Sequence, residues 1–287
     1  MPLLERVSPH LWRVAAARAE SDEANQGVTT QLVLARDATR LWLVGSGPTP
    51  AFGRSLACAI ERATGQAVTD VVNTRPQPES ALGNVAFTGA RLWALADVAA
   101  AMRQRCGACL DRLKARLGAA GDSLHPALIR LPTHRVAAPR ASSGRLGPFR
   151  WLALQRGPGS RVLVLQHRRD RITIAQGMVW VGDIPNLREA RLDTMAASLN
   201  VLQAFVGSGA VLGEQGDLGA AADVALHIAY LDALRQIVLA GLARGDAQMS
   251  SAAGAELPGF SAAPGYPRWH ALNVQQAWRE LEPTIFK

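Results

Sequence analysis

The side chains best suited to chemistry sit in one stretch, residues 71–87, VVNTRPQPESALGNVAF. Arg75, Gln77, Glu79 and Ser80 bring a guanidinium, an amide, a carboxylate and a hydroxyl close together, with Pro76 and Pro78 between them. A guanidinium stays protonated and has no lone pair to give a cation, so Arg75 repels a metal ion. It can fork onto a carboxylate or phosphate, or pair with Glu79 across the loop. Gln77 offers a cation only a neutral carbonyl, and Ser80 is a poor zinc ligand at neutral pH. Glu79 alone keeps a charge useful to a metal or to a substrate proton. Ser46, in Gly45-Ser46-Gly47-Pro48, and Ser208, in Val206-Gly207-Ser208-Gly209, sit in two further glycine-bearing loops. A nucleophilic serine needs a base beside it, and no histidine is near any of the three in sequence.

The remaining metal and redox candidates are weaker. The histidines, at 10, 125, 134, 167, 227 and 270, form no HxH, HxxxH or HExxH spacing. His227 lies on a strongly apolar segment and reads as a packing residue. Of the three cysteines, Cys106 and Cys109 form one CxxC late in a helical segment. No second pair completes a zinc site, and the motif does not open a helix after a strand as a thioredoxin-type pair would. A structural role is the reading.

Elements must place the loop. Residues 11–15, 28–35 and 41–44 read as an antiparallel meander, and 68–73 as a strand. Between them, residues 52–64 carry apolar positions at Phe52, Leu56, Ile60 and Ala63 with Gly65 as a stop, which predicts a helix. The strand ending at Val71-Val72 empties into the polar loop at its carboxyl end, where α/β proteins place ligands. Downstream, 91–93, 149–154, 162–166, 172–175 and 178–181 read as strands. Residues 97–117, 192–205, 218–242 and 270–282 read as helices. Residues 132–148 read as a connecting loop, and 245–267 as an irregular excursion.

This order resembles the metallo-β-lactamase superfamily. In that family the third strand usually ends in Asp-Ser-Gly; here Gly45-Ser46-Gly47 stands there. Its Thr-His-x-His-x-Asp-His-x-x-Gly-Asn loop aligns without a gap on residues 74–84, with Arg75, Gln77 and Ser80 at the histidines and Glu79 at the aspartate. Gly83-Asn84 is kept. Gly177 falls on the Gly-Asp pair whose aspartate bridges two metals, and Ser208 on the histidine of Pro-Gly-His-Gly. The resemblance covers residues 7–211 well. The end, HALNVQQAWRELE, is similar to a closing helix of a bacterial branch, the quinoprotein relay system zinc metallohydrolases. That branch implies a setting near alcohol oxidation with pyrroloquinoline quinone.

The resemblance implies an α/β chain folded as a four-layer αββα sandwich, one domain over residues 1–287, with 212–287 a helical extension. It implies a vestigial cleft lined by Ser46, Arg75, Gln77, Glu79, Ser80, Gly177 and Ser208, holding no metal and no cofactor. The function implied is a non-hydrolytic pseudoenzyme that binds a small ligand or a partner protein. A hydrolase of esters, thioesters or lactones built around Glu79 and Arg75 is the alternative.

Composition bounds the rest. The chain has 287 residues, nearly half of them apolar, enough for a large core. The net charge of +8 is arginine-borne, since Lys114 and Lys287 are the only lysines. The arginines are scattered and lack interleaved aromatics, so no nucleic-acid surface is expected. No apolar run reaches the roughly 20 residues of a membrane span. Without a visible leader the chain reads as cytoplasmic, or periplasmic if a leader was removed.

Overall fold

A computed structural model describes residues 2–137, 142–244, 254 and 256–285. Two mixed sheets are stacked face to face. The first holds β1 (Glu5–Arg6), β2 (Leu11–Val14), β3 (Leu32–Asp37), β4 (Arg40–Val44), β5 (Asp70–Val72), β6 (Arg91–Ala94) and β7 (His134–Arg135), in that order. The second runs β13 (Leu218–Ala220), β12 (Ala210–Leu212), β11 (Ile172–Ile174), β10 (Ser160–His167), β9 (Phe149–Gly157) and β8 (Ser143–Leu146).

Strand alternation builds the layers. In β3, Val33 and Ala35 face the second sheet, while Leu32 and Leu34 face outward. In β10, Leu163 and Leu165 meet them in the middle, while Val162 and Val164 face outward. Both faces of the central strands are therefore dry, which is why LVLA, LWLV and VLVL read as continuous apolar runs. Helix α1 (Pro50–Thr64) covers the outer face of the first sheet through Phe52, Leu56 and Ile60. Helices α4 (Leu192–Val206), α5 (Ala221–Ala243) and α6 (Tyr266–Ile285) cover the second. Residues beyond 212 thus supply β13 to the edge of the second sheet and α5 and α6 to its outer layer.

The second half contains one parallel crossover and the first contains three, β4 to β5, β5 to β6 and β6 to β7. β4 passes through α1 to β5, and β11 passes through α4 to β12. The α1 helix stops at Gly65 as expected and starts two residues before Phe52. Thr49 caps the first turn by accepting from the Phe52 N–H at 3.0 Å, Pro50 opens the helix, and Gly65 ends it with φ of 69°. Parallel strands deliver their carboxyl ends to one edge, so the loops after β4, β5, β11 and β12 all gather there.

Several expectations need correction. The third strand begins at Leu32, because residues 28–31 turn inward to hydrogen-bond with residues 213–215. Residues 178–181 are turn, not strand. Residues 218–220 pair as β13 before α5 starts, and the Asp223 carboxylate accepts from the Ala220 N–H at 2.9 Å where the two meet. The loop expected at 132–148 contains β7 and β8. Helix α5 is long and apolar enough to cross a membrane by length and composition, and it buries Val224, Tyr230, Leu234 and Val238 in the core. Cys106 and Cys109 fall within α3 (Ala96–Leu117), but their side chains lie outside the described residues, as do residues 245–253 and 255 of the excursion at 245–267.

Candidate functional site

At the shared carboxyl edge lies a polar cleft of about 340 Å³ between the two halves. The loop after β5, with the short helix α2 (Pro78–Ala81), supplies Arg75, Gln77 and Glu79; α3 supplies Arg112 and Arg116. The second half contributes Arg156, Trp180, Glu189 and Glu214.

At its centre is a buried ion pair. An Arg75 terminal nitrogen donates to Glu214 Oε1 and, at 3.2 Å, to the Thr30 hydroxyl. That hydroxyl donates to Glu214 Oε1 at 2.6 Å, and the Gly177 N–H donates to Oε2 at 2.9 Å. Both carboxylate oxygens are satisfied, as a buried charge requires. Thr30 and Arg75 come from the first half, Gly177 and Glu214 from the second, so the network clamps the halves together. Behind it, Thr74 donates to Gln176 at 2.6 Å, and Gln176 donates to the Gln31 carbonyl.

The expected site residues do not all meet in one place. Arg75, Gln77 and Glu79 line the cleft. Gly177 lies against Arg75. Ser46 and Ser80 are buried behind the loop: Ser80 donates to the Gln77 carbonyl at 3.2 Å, and the Ser46 N–H donates to the Ser80 carbonyl at 2.7 Å. They fix the loop's shape rather than face the cavity. Gly83 seals this junction, because a β-carbon there would fall 2.1 Å from the Ser46 carbonyl oxygen. Asn84 is a buried amide that bonds Asn73 and the Arg130 carbonyl.

Ser208 does not belong to the cleft. It is exposed, precedes β12 and accepts from Arg171 at 2.9 Å at the opposite edge. Three residues of strand, about 10 Å of rise, separate the two ends of β12. The residue delivered to the cleft after β12 is Glu214, in Gly213-Glu214-Gln215-Gly216. Glu214 is thus the functional residue missed by sequence reading; its signal was an acid in a glycine-flanked turn just after the apolar Val211-Leu212. Nor does Arg75 pair with Glu79. Glu79 instead faces the Ser21 hydroxyl at 3.4 Å.

The donor set does not fit a zinc centre. A cationic guanidinium, a neutral amide, a bare glycine and serines turned away from the cleft stand at the aligned positions, Glu79 is the one carboxylate among them, and Glu214 is already saturated by Arg75, Thr30 and Gly177. Among the described residues, one other set of imidazole and carboxylate donors converges, at the opposite edge: His10, His167 and Asp170. Its donors are turned on one another. His10 Nδ1 lies 2.7 Å from Asp170 Oδ1, Ser8 donates to the same carboxylate, and the Asp170 N–H donates to His167 Nδ1 at 3.3 Å. Burial works to raise the Asp170 pKa, but the hydrogen bonds from Ser8 and His10 hold it below the usual carboxylate range.

Two further buried groups shape the cleft wall. The Trp180 N–H donates to His227 Nε2 at 2.9 Å, with the rings stacked at 6.2 Å. Burial pulls the His227 pKa down to about 4, so the imidazole is neutral. Burial, and then the charge of Arg75, lowers the Arg156 pKa to about 10.

Two mixed sheets face to face, helices on both outer sides and a cleft at the common carboxyl edge define an αββα sandwich. The chain has the metallo-β-lactamase fold. It superposes on a metallo-β-lactamase from Hirschia baltica with a TM-score of 0.63 and 11% identity, over 80% of this chain and 97% of that one. The mono-zinc form of FIM-1 from Pseudomonas aeruginosa gives 0.64 and 12%, over 80% and 95%. A metallo-β-lactamase from Pontibacter korlensis gives 0.62 and 13%, over 81% and 99%. No family model and no curated protein matches the sequence.

Proposed function

We propose that this chain is a metallo-β-lactamase-fold protein without zinc hydrolase chemistry, and that it binds a small ligand in the cleft between its halves. The observation that carries the reading is the Arg75–Glu214 pair. It puts a permanent cation where metal ligands stand in the resembling family, and it consumes the nearest carboxylate. Such a pair is stable only while both partners stay; a zinc ion entering there would have to displace or face the guanidinium. The cleft itself remains open and polar, as a ligand site would be.

Hydrolysis around Glu79 is the competing reading, since Glu79 lines the cavity. Metal analysis of purified protein incubated with zinc, together with a thioester, lactone and phosphoester panel, separates the two. The proposal expects substoichiometric zinc and no turnover. Stoichiometric zinc lost on substitution of the 75–80 loop would overturn it. So would turnover that survives chelation and disappears in Glu79→Gln.

A further inference from the structure

Two buried guanidinium groups face the cleft, and among the described residues only Arg75 has a carboxylate at ion-pair distance. Arg75 is neutralised by Glu214. Arg156 arrives from β9, on the same face as Leu154 by strand alternation. One of its terminal nitrogens donates to the Asn186 carbonyl at 2.7 Å, its Nε is buried without a partner, and it sits 5.9 Å from the Trp180 ring centre. Among the described residues no carboxylate forms an ion pair with it. The other acids of the cleft are engaged: Glu20 with Arg116 at 3.3 Å, Glu79 with Ser21, and Glu189 with Gln77 at 3.3 Å. Despite burial and a neighbouring arginine, Arg156 stays charged at neutral pH.

A buried cation without a counter-ion is an unfavourable arrangement that a bound anion relieves. The group is also pre-oriented. Its planar fork is held by the Asn186 carbonyl and the Trp180 face, so little ordering is left to pay on binding. A second cation, the exposed Arg188, stands at the cleft lining and adds to the field that draws an anion in. The cavity is of small-molecule size. On the reading of this cleft as a ligand site, we infer that Arg156 anchors an oxyanion, a carboxylate or a phosphate, of a small molecule bound between the two halves.

The test is calorimetric titration of the full chain with inorganic phosphate and with succinate, at constant ionic strength, with chelator and with added zinc. Saturable binding of either probe, weakened about tenfold or more in Arg156→Gln and retained in Ser208→Ala, supports the inference. The probe that binds names the class. Because Arg156→Gln deletes an unpaired buried charge, its unfolding temperature without anion should not fall below that of the parent, and the probe should raise only the parent's. Should that variant fail to fold, Arg156→Lys keeps the charge but loses the fork and should also bind more weakly. Failure of both probes on the parent, or equal binding by parent and variant, overturns the inference while the metal-free reading stands. Binding that appears only with zinc and persists in Arg156→Gln overturns both.

Discussion

The guanidinium of Arg75 lies against the α-carbon of Gly177. A β-carbon added to Gly177 would meet Arg75 Cδ at 3.0 Å and Nη1 at 3.2 Å. Gly177 also holds φ of 75°, a region side chains rarely adopt. The arginine occupies the space that a side chain at position 177 would need, so the two residues compete for one volume. Gly177→Ala should therefore destabilise by about 1–3 kcal/mol through combined backbone strain and crowding. In an Arg75→Ala background the crowding part should vanish, and the remainder should fall to about 1 kcal/mol. Urea unfolding of the double-mutant cycle decides it; strict additivity would mean the two residues do not compete for space.

The Arg75–Glu214 pair makes an asymmetric prediction. Glu214→Gln leaves a buried guanidinium unpaired and should lose about 3–5 kcal/mol of stability. Replacing both partners with apolar residues of similar size should cost far less, since neither charge is then stranded. Equal losses in the single and double variants, read from denaturant midpoints, would show that the pair is not the clamp between the halves.

Stability should depend on His227 in acid. Its folded pKa, near 4, lies below the ordinary value of 6.5, so the unfolded chain binds the proton more readily. The contribution is complete above pH 6.5 and is lost as pH falls toward 4, on the order of 3 kcal/mol. His227→Gln should flatten this part of the pH–stability curve while keeping an acceptor for the Trp180 N–H. An unchanged slope in that variant would exclude His227 as its source.

Asp70 anchors the first sheet. It is fully buried and accepts from Arg40 at 3.1 Å, Arg91 at 2.9 Å, the Trp93 indole at 2.8 Å and Thr69 at 2.8 Å. Asp70→Asn should destabilise by about 3 kcal/mol or more, because two arginines lose their counter-charge. A change below about 1 kcal/mol in chemical denaturation would contradict this account.

Ser208 provides the control for the corrected register. It is solvent-exposed at the far edge, so Ser208→Ala should change stability by no more than about 0.5 kcal/mol. It should leave cleft binding intact. Altered phosphate or succinate affinity in this variant would argue against the assignment of Glu214, rather than Ser208, to the cleft.

The sequence by itself determined the layered fold and the polar loop that reaches its cleft. Those features rest on local signals: continuous apolar runs for doubly covered strands, Gly65 at the end of one crossover helix, and a polar, proline-punctuated loop after Val71-Val72. Tertiary structure decided which charges meet. Arg75 had Glu79 four residues away and chose Glu214, because β12 runs parallel to β11 and delivers its carboxyl end, not Ser208, to the cleft edge. Arg156 was one arginine among many in an apolar strand, and only the packing of Trp180 and Asn186 around it left its charge buried without an ion pair among the described residues. Periodicity records which face a residue takes, but pairing across half the chain depends on strand order and on which strand end reaches the shared edge.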